Sequence, residues 1–375
     1  MHSLKGCATR RAGEAKDAAE MTMTPRQRIT AALQHRQPDR TPMFEYVLQS
    51  PLADVFLRRP YAVCHWQEAV KKLGWAAAVR QAAVDQLDLA QMLGHDMLYV
   101  VPNAPPPGPR AQETPAKPPP DDPVERVRLR NRQVPRRAFA DEQLLIYAHL
   151  KDEMTRRGVD LPILAPAWFH GVWTDVDLMQ TMLLAPQVAC EHFALATQRA
   201  LACVDAYVAV GIDMIGVGGD FAGNRPIISP EAYRRFIAPE VAKVTRRIHE
   251  ADSYAVNASD GNLWPVIEDF LIGCGVDGYA EIDFHAGMDL RRLKAAYGRR
   301  ITFFGNLDCG SVLSFGSPQD VRRHVIDCIE AGAGDGGHVL CASNAITASV
   351  PLANYLAAVN AYRDFFGIPK LDVRC

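Results

Sequence analysis

Tyr254-Ala255-Val256-Asn257-Ala258-Ser259-Asp260-Gly261-Asn262 is a short apolar run that stops abruptly at small and polar residues. The same event recurs at Gly305-Asn306-Leu307-Asp308. Strands that end on polar residues, repeated with helix-length spacers, mark a (β/α)8 barrel, whose chemistry gathers at the carboxyl ends of the strands.

Outward from that run, strands are predicted at 40–46, 95–101, 161–166, 212–217, 254–257, 278–282, 301–305 and 338–341. Apolar periodicity predicts helices over 66–93, 175–208 and 230–250. The last has Ser229 as N-cap and Glu231 in its first turn. Thr24 suits an N-cap and Pro25 a first helical position, which predicts an N-terminal helical extension from Arg26 to about His35. Strands alternating with helices imply parallel pairing, and eight of them imply an α/β fold closed as a (β/α)8 TIM barrel.

Two stretches fall outside this rhythm. Residues 1–21 are polar, mixed in charge and without an apolar core of the kind a secretory signal needs. They read as a disordered tail, with Met21 or Met23 as alternative starts, ahead of a single barrel domain at 22–375. A proline-rich insertion at about 103–140 carries Pro105, Pro106, Pro107, Pro118, Pro119 and Pro120, too many for a helix or central strand. Within it Val127-Arg128-Leu129-Arg130 alternates like an edge strand. Its arginines (Arg126, Arg128, Arg130, Arg132, Arg136, Arg137) suit either an anionic ligand or a solvated face.

The 375 residues are 48% hydrophobic and 22% charged, with a formal net charge of -2. No global field favours nucleic acid or a membrane surface. No apolar run approaches the roughly 18 residues needed to span a bilayer. Nine scattered cysteines without a C-x-x-C pair predict reduced thiols in a cytoplasmic chain, most of them small core residues.

The predicted rim is the functional shortlist. It holds Glu45 and Tyr46 after the first strand, and Tyr99 and Asn103 after the second. Trp168, Phe169, His170 and Trp173 follow the third; Asp220, Asn224 and Arg225 follow the fourth. Asn257, Ser259, Asp260 and Asn262 end the fifth. Glu281, Asp283 and His285 follow the sixth, Asn306 and Asp308 the seventh, Ser343 and Asn344 the eighth. Amides and carboxylates beside an aromatic wall suit a planar or hydrophobic ligand oriented by a few polar groups. Each residue also has a structural reading. His170 also reads as a packed histidine, and the three aromatics as wall or core. Asp308 would orient its own turn. Asp260 is either a hydrogen-bonding rim residue or a partner of Glu281 and His285 in a metal site. Asp213 and Asp277 read as helix-to-strand turn residues.

Thr24-Pro25-Arg26-Gln27-Arg28, Pro38-Asp39-Arg40-Thr41-Pro42 and Ile228-Ser229-Pro230-Glu231-Ala232-Tyr233 form a spaced set with Ser259-Asp260-Gly261-Asn262. Gly275-Val276-Asp277-Gly278, Gly287-Met288-Asp289-Leu290, Gly305-Asn306-Leu307-Asp308 and Gly337-His338 extend it. Over about 22–367 the chain resembles the uroporphyrinogen decarboxylase and cobamide-dependent methyltransferase superfamily. That resemblance implies a distorted (β/α)8 barrel, often dimeric. Members that activate thiols hold zinc with a His-x-Cys motif and a later cysteine. The matching positions here are Ala258, Asp260 and Asn344, with Cys341 nearby, so zinc is not expected. Porphyrinogen decarboxylases bring an arginine-rich segment and a Phe-Ser-Asp motif. Here those positions are Phe44 to Ser50, with no arginine, and Tyr99 to Asn103, with no acid.

The resemblance therefore implies a corrinoid-linked methyltransferase or demethylase acting on a small methylated molecule. Asp220, Asp260, Glu281 or His170 would be the general acid if burial raises its pKa. Glu45, Tyr46, Tyr99, Trp168, Phe169, Trp173, Arg225, Asn257, Asn262, Asn306, Asp308 and Asn344 would line the substrate site, the aromatics suiting an apolar or quaternary ammonium group. The alternatives are a cofactor-free decarboxylase of a tetrapyrrole or smaller acid, and a non-catalytic binder of a corrinoid or partner. No Asp-x-His-x-x-Gly motif is present, so a corrinoid would arrive on a separate protein. No covalently bound cofactor is expected.

Overall fold

The computed structural model describes residues 23–108, 119–133, 139–225 and 227–372. The predicted tail at 1–21, Pro118, Arg136 and Arg137 lie outside them. Seven parallel strands follow one another in chain order: β1 (Leu98–Tyr99), β2 (Ile163–Pro166), β3 (Met214–Gly218), β4 (Tyr254–Ala258), β5 (Gly278–Ala280), β6 (Thr302–Phe304) and β7 (His338–Val339). The sheet curls so that Leu164, Met214, Val256, Ala280, Phe304 and Val339, from successive strands, pack into one cluster. Ala165, Ile215, Ala255, Tyr279 and Phe303 face the other way, into the helical layer. This is the period-2 alternation of a strand, and it decides which rim residues can see the interior.

The predicted first strand, 40–46, does not form a ladder. Met43 makes a single parallel bridge to Leu340. The Phe44 N–H donates to the Leu340 carbonyl (3.1 Å) and the Leu340 N–H to the Pro42 carbonyl (2.8 Å). On the other side the Asp96 N–H donates to the Met43 carbonyl (2.7 Å). Two local features stop a ladder there. Pro42 has no N–H to give, and the Met43 N–H is taken by the Asp96 carboxylate (3.0 Å). Asp96 is fully buried and also accepts from Arg40 (2.7 and 2.9 Å) and Arg28 (3.1 Å). Arg28 in turn holds Asp39 (2.6 and 2.9 Å). Asp39 and Arg40 thus belong to an ionic knot at the amino end of the sheet, centred on the buried Asp96.

The other elements follow local rules. Thr24 and Gln27 form a capping box on the Pro25–Leu33 helix. Gly74, with φ of 82°, splits the predicted 66–93 helix into Trp66–Leu73 and Trp75–Leu93. The 175–208 region divides at Ala185 into Val176–Leu184 and Pro186–Ala209. Ser229 caps the next helix, which passes through a wide π turn at Tyr233–Ile237 before Ala238–His249. Asp213 accepts from the Ile163 N–H (2.8 Å) and Asp277 from the Ala255 N–H (2.7 Å), so each stitches its strand to a neighbour.

The predicted edge strand at 127–130 is instead part of the Pro123–Gln133 helix. Val127 and Asn131, four apart, are its buried residues, and four alternating residues are too few to separate the two periods. Two of its arginines are held by acids of the Val176–Leu184 helix and its cap: Arg126 pairs with Asp177 (2.7 Å) and Arg130 with the capping Asp175 (2.9 Å). Among the described residues no helix is long and apolar enough to cross a membrane.

Candidate active site

The carboxyl ends of β2 to β5 surround a cavity of about 360 Å³. Trp168 and Phe169, just beyond β2, form one wall, and Trp173 stands half-exposed at the mouth. Trp168 can lie flat because β3 carries Gly216 beneath it: a Cβ there would sit 2.2 Å from the indole. β3 ends in Gly218-Gly219. Gly219 has φ of 133°, and a Cβ would come within 2.8 Å of the Gly171 nitrogen. That close approach brings Asp220 to the rim, where its carbonyl accepts the Val172 N–H (2.7 Å).

Asp220, Asp260 and Glu281 form the acidic side. The Asp260 N–H donates to Asp220 Oδ1 (3.1 Å), and Asn344 Nδ2 donates to Asp260 Oδ2 (2.7 Å). Glu281 sits in the left-handed region with φ of 63°, unusual for a non-glycine and a mark of a constrained rim position. It meets the Tyr46 hydroxyl. The Tyr46 ring lies 4.3 Å from Tyr99, and Tyr99 accepts from Trp168 Nε1 (3.1 Å). Among the described residues neither lysine nor arginine lines the cavity.

The electrostatics follow from that composition. Burial, then the charges of Asp260 and Asp220, push Glu281 up to about 8, against a smaller opposing effect of Tyr46. Burial, Asp220 and Asp283 push Asp260 up to about 7, and the Asn344 amide opposes them. Asp260 raises Glu281, so the two titrate as a coupled pair that holds a proton near pH 7.

The structure separates the predicted site residues into two groups. Tyr46, Trp168, Phe169, Trp173, Asp220 and Glu281 line the cavity, with Asp260, Asn344 and Tyr99 directly behind. The others are elsewhere. His170 is fully buried, its Nε2 on Thr197 Oγ1 (2.9 Å), which donates to Glu240 (2.7 Å). Burial pushes His170 down to about 4, so it is a neutral core residue and not the acid. Asn257 points into the helical layer and donates to the Phe270 carbonyl (3.0 Å), because alternation along β4 turns Val256 and Ala258 inward. Asn262 accepts the Trp264 N–H (3.1 Å) and forms its turn. Asn306 is buried against Met288 and Cys328. Asp308 accepts from Ser311, Gly310, Val312 and His285 Nε2 (2.9 Å), so it builds the loop after β6. Arg225 and Asn224 are exposed and outside the lining. Glu45 lines a different cavity. Asn103 clamps its own loop through Ile146, Ala104 and Glu142.

Gly171, Gly219 and Ala258 line the cavity and were not on the shortlist. The doubled glycine before Asp220 was the available signal, since adjacent glycines at a strand end mark a close backbone approach.

The residues at the predicted metal positions suit a metal poorly. Ala258 and Asp260 lie at one rim with Asn344, and the last two are hydrogen-bonded to each other. An alanine, an amide and one carboxylate are a poor donor set for zinc. His285 is turned away onto Asp308. Among the described residues no three His, Cys, Asp or Glu side chains are placed to hold a metal ion.

The uroporphyrinogen decarboxylase (URO-D) family profile matches residues 174–365, just over half of the chain. The chain belongs to the uroporphyrinogen decarboxylase family. The matched region runs from Thr174 past β7 to Phe365, and so includes Asp220, Asp260, Glu281 and Asn344 but not Tyr46 or Trp168. Among solved structures a methyltransferase from Methanosarcina mazei aligns over 92% of this chain and 99% of its own, with 20% identity and a TM-score of 0.67. The fold is shared at that level. The 3-keto-D-glucoside 4-epimerase YcjR from E. coli aligns over 66% of this chain and 95% of its own, with 8% identity and a TM-score of 0.35. No curated protein matches.

Proposed function

We propose that this chain is a methyltransferase. It takes a methyl group from the oxygen or nitrogen of a small molecule and delivers it to a corrinoid carried by a separate protein. The observation that carries this reading is a carboxylic acid, Glu281, held protonated near pH 7 in an aromatic-walled cavity without a basic side chain. An ether oxygen or neutral amine nitrogen that gives up its methyl group departs with the bonding electron pair and takes the Glu281 proton, whereas a quaternary nitrogen departs neutral and needs none. Burial, reinforced by Asp260 and Asp220, keeps the proton on Glu281, and the Tyr46 hydroxyl orients it. Trp168, Phe169 and Trp173 exclude water and face the apolar or quaternary part of the substrate. Family membership and the fold shared with a methyltransferase are consistent with it. In the same reading Pro42 to Phe44, bonded to Leu340 and Asp96, stands as the eighth stave of a closed barrel.

A porphyrinogen with many acid groups fits poorly, since bidentate arginine is the natural partner of a carboxylate and none lines the cavity. The test is direct. The purified chain, a corrinoid protein reduced to Co(I) and a panel of O- and N-methyl compounds should give the absorbance of methylcobalamin with matching demethylated product. Silence across the panel, with carbon dioxide released from a porphyrinogen or smaller acid instead, would sink the proposal and favour the decarboxylase.

A further inference from the structure

The stretch from Trp168 to Trp173, which supplies the aromatic wall, is neither helix nor strand. Its backbone is laced along the end of β3. The His170 N–H donates to the Gly218 carbonyl (2.9 Å), and the Val172 and Trp173 N–H groups both donate to the Asp220 carbonyl (2.7 and 3.0 Å). The wall and the acid beside it therefore share one set of backbone bonds. From behind, two residues of the Pro186–Ala209 helix hold consecutive side chains of the loop. Arg199 lays its guanidinium 4.7 Å over the Phe169 ring, and Thr197 Oγ1 meets His170 Nε2 (2.9 Å).

The proton positions follow from the acceptors. The Glu240 carboxylate, held on one oxygen by Lys243 (2.6 Å), takes the single Thr197 hydroxyl proton on the other (2.7 Å). Thr197 Oγ1 must then accept from His170 Nε2–H. That leaves a lone pair on His170 Nδ1, which is buried and without a partner among the described residues. An apolar side chain would fill the same space without leaving a buried polar atom unpaired. What the imidazole adds is one directed bond from the loop to the helix. Through Glu240, in the first turn of the Ala238–His249 helix, that bond is referred to a second element.

We propose that His170 is a positioning residue for the cavity: its Nε2–H bond to Thr197 fixes the loop that places both the aromatic wall and Asp220. The inference rests on the reading of this cavity as the methyl-transfer site. His170 touches no substrate and acts through Trp168, Phe169 and the Asp220 carbonyl.

The experiment compares the full chain with His170→Ala, His170→Gln, His170→Asn and Thr197→Val. Glutamine can place an N–H where Nε2 lies, and asparagine is too short to reach Thr197. Hydrogen–deuterium exchange, read by mass spectrometry on peptides over 168–174, needs no turnover. His170→Ala, His170→Asn and Thr197→Val should each speed exchange there roughly tenfold, the worth of about one hydrogen bond, while peptides over β4 and β5 keep the parent rate. His170→Gln should return close to the parent. The double variant His170→Ala with Thr197→Val should exchange no faster than either single one. Where His170→Ala fails to fold, Thr197→Val and the glutamine–asparagine pair carry the same test. In the corrinoid assay the loosened variants should raise KM roughly tenfold with kcat within about twofold, since the wall binds substrate and transition state alike. Unchanged exchange over 168–174, loosening spread evenly over the chain, glutamine no better than asparagine, or an unchanged KM in an active chain overturns the proposal. A parent chain silent in the corrinoid assay sinks methyl transfer instead, and the exchange pattern then decides the role of His170.

Discussion

Glu281 and Asp260 are two carboxyls whose value to the site is that they resist ionising. Replacing Glu281 by Gln keeps the shape and removes the proton, so kcat should fall by roughly a hundredfold to ten-thousandfold with a smaller change in KM. The rate of the parent chain should be flat through neutral pH and fall as pH rises past about 8, where Glu281 loses its proton. Asp260→Asn removes a negative charge that raises Glu281, so that alkaline limb should move to lower pH; a limb that stays put would mean the two acids are not coupled. Stability falls in the same direction with pH. A carboxyl whose folded pKa lies above its unfolded value stabilises below about 4.5, and that contribution is lost as pH rises through about 8. Glu281→Gln should therefore melt above the parent at pH 9 and level with it at pH 4, as differential scanning fluorimetry would show. The sequence exposed these acids because polar residues closing an apolar strand are conspicuous. It did not expose which neighbours face away. Asn257 and His170 sit within a few residues of true cavity residues, and the alternation of one strand and the packing behind one loop send them into the helical layer.

At the scale of elements, the knot of Arg28, Arg40, Asp39 and Asp96 replaces backbone pairing at the amino end of the sheet. Asp96→Ala would leave two guanidinium groups facing a buried hole. We expect a loss of roughly 3–5 kcal/mol in urea unfolding, far more than the ~1 kcal/mol expected for Thr24→Ala at an exposed helix cap. A loss for Asp96→Ala no greater than that of Thr24→Ala would show that the knot is solvated. Strand and helix order could be read from the chain because every strand begins and ends within a few residues of its apolar run. The Pro123–Gln133 helix could not, since Val127-Arg128-Leu129-Arg130 satisfies both periods and only the burial of Asn131 reveals the helical one. Nor could the missing ladder at 40–46, because the residue that displaces it, Asp96, lies more than fifty positions away and acts through its side chain.

For the molecule as a whole, family and fold are shared with enzymes of different chemistry, and the rim decides which chemistry is available. The donor set predicts that dialysis against a chelator will change neither melting temperature nor methyl transfer. Stoichiometric zinc by elemental analysis, lost in Asp260→Ala, would reverse that conclusion. The hydrogen bond from Asn344 to Asp260 has a wider meaning. It spans the loops after β4 and β7, and with Ala258 it occupies the positions that the resemblance assigns to the zinc ligands of thiol-activating relatives. Three residues therefore separate this acidic rim from one that could hold a Lewis acid. A chain carrying Ala258→His, Asp260→Cys and Asn344→Cys would measure how short that evolutionary step is, and whether the ancestor of this rim once took it in reverse.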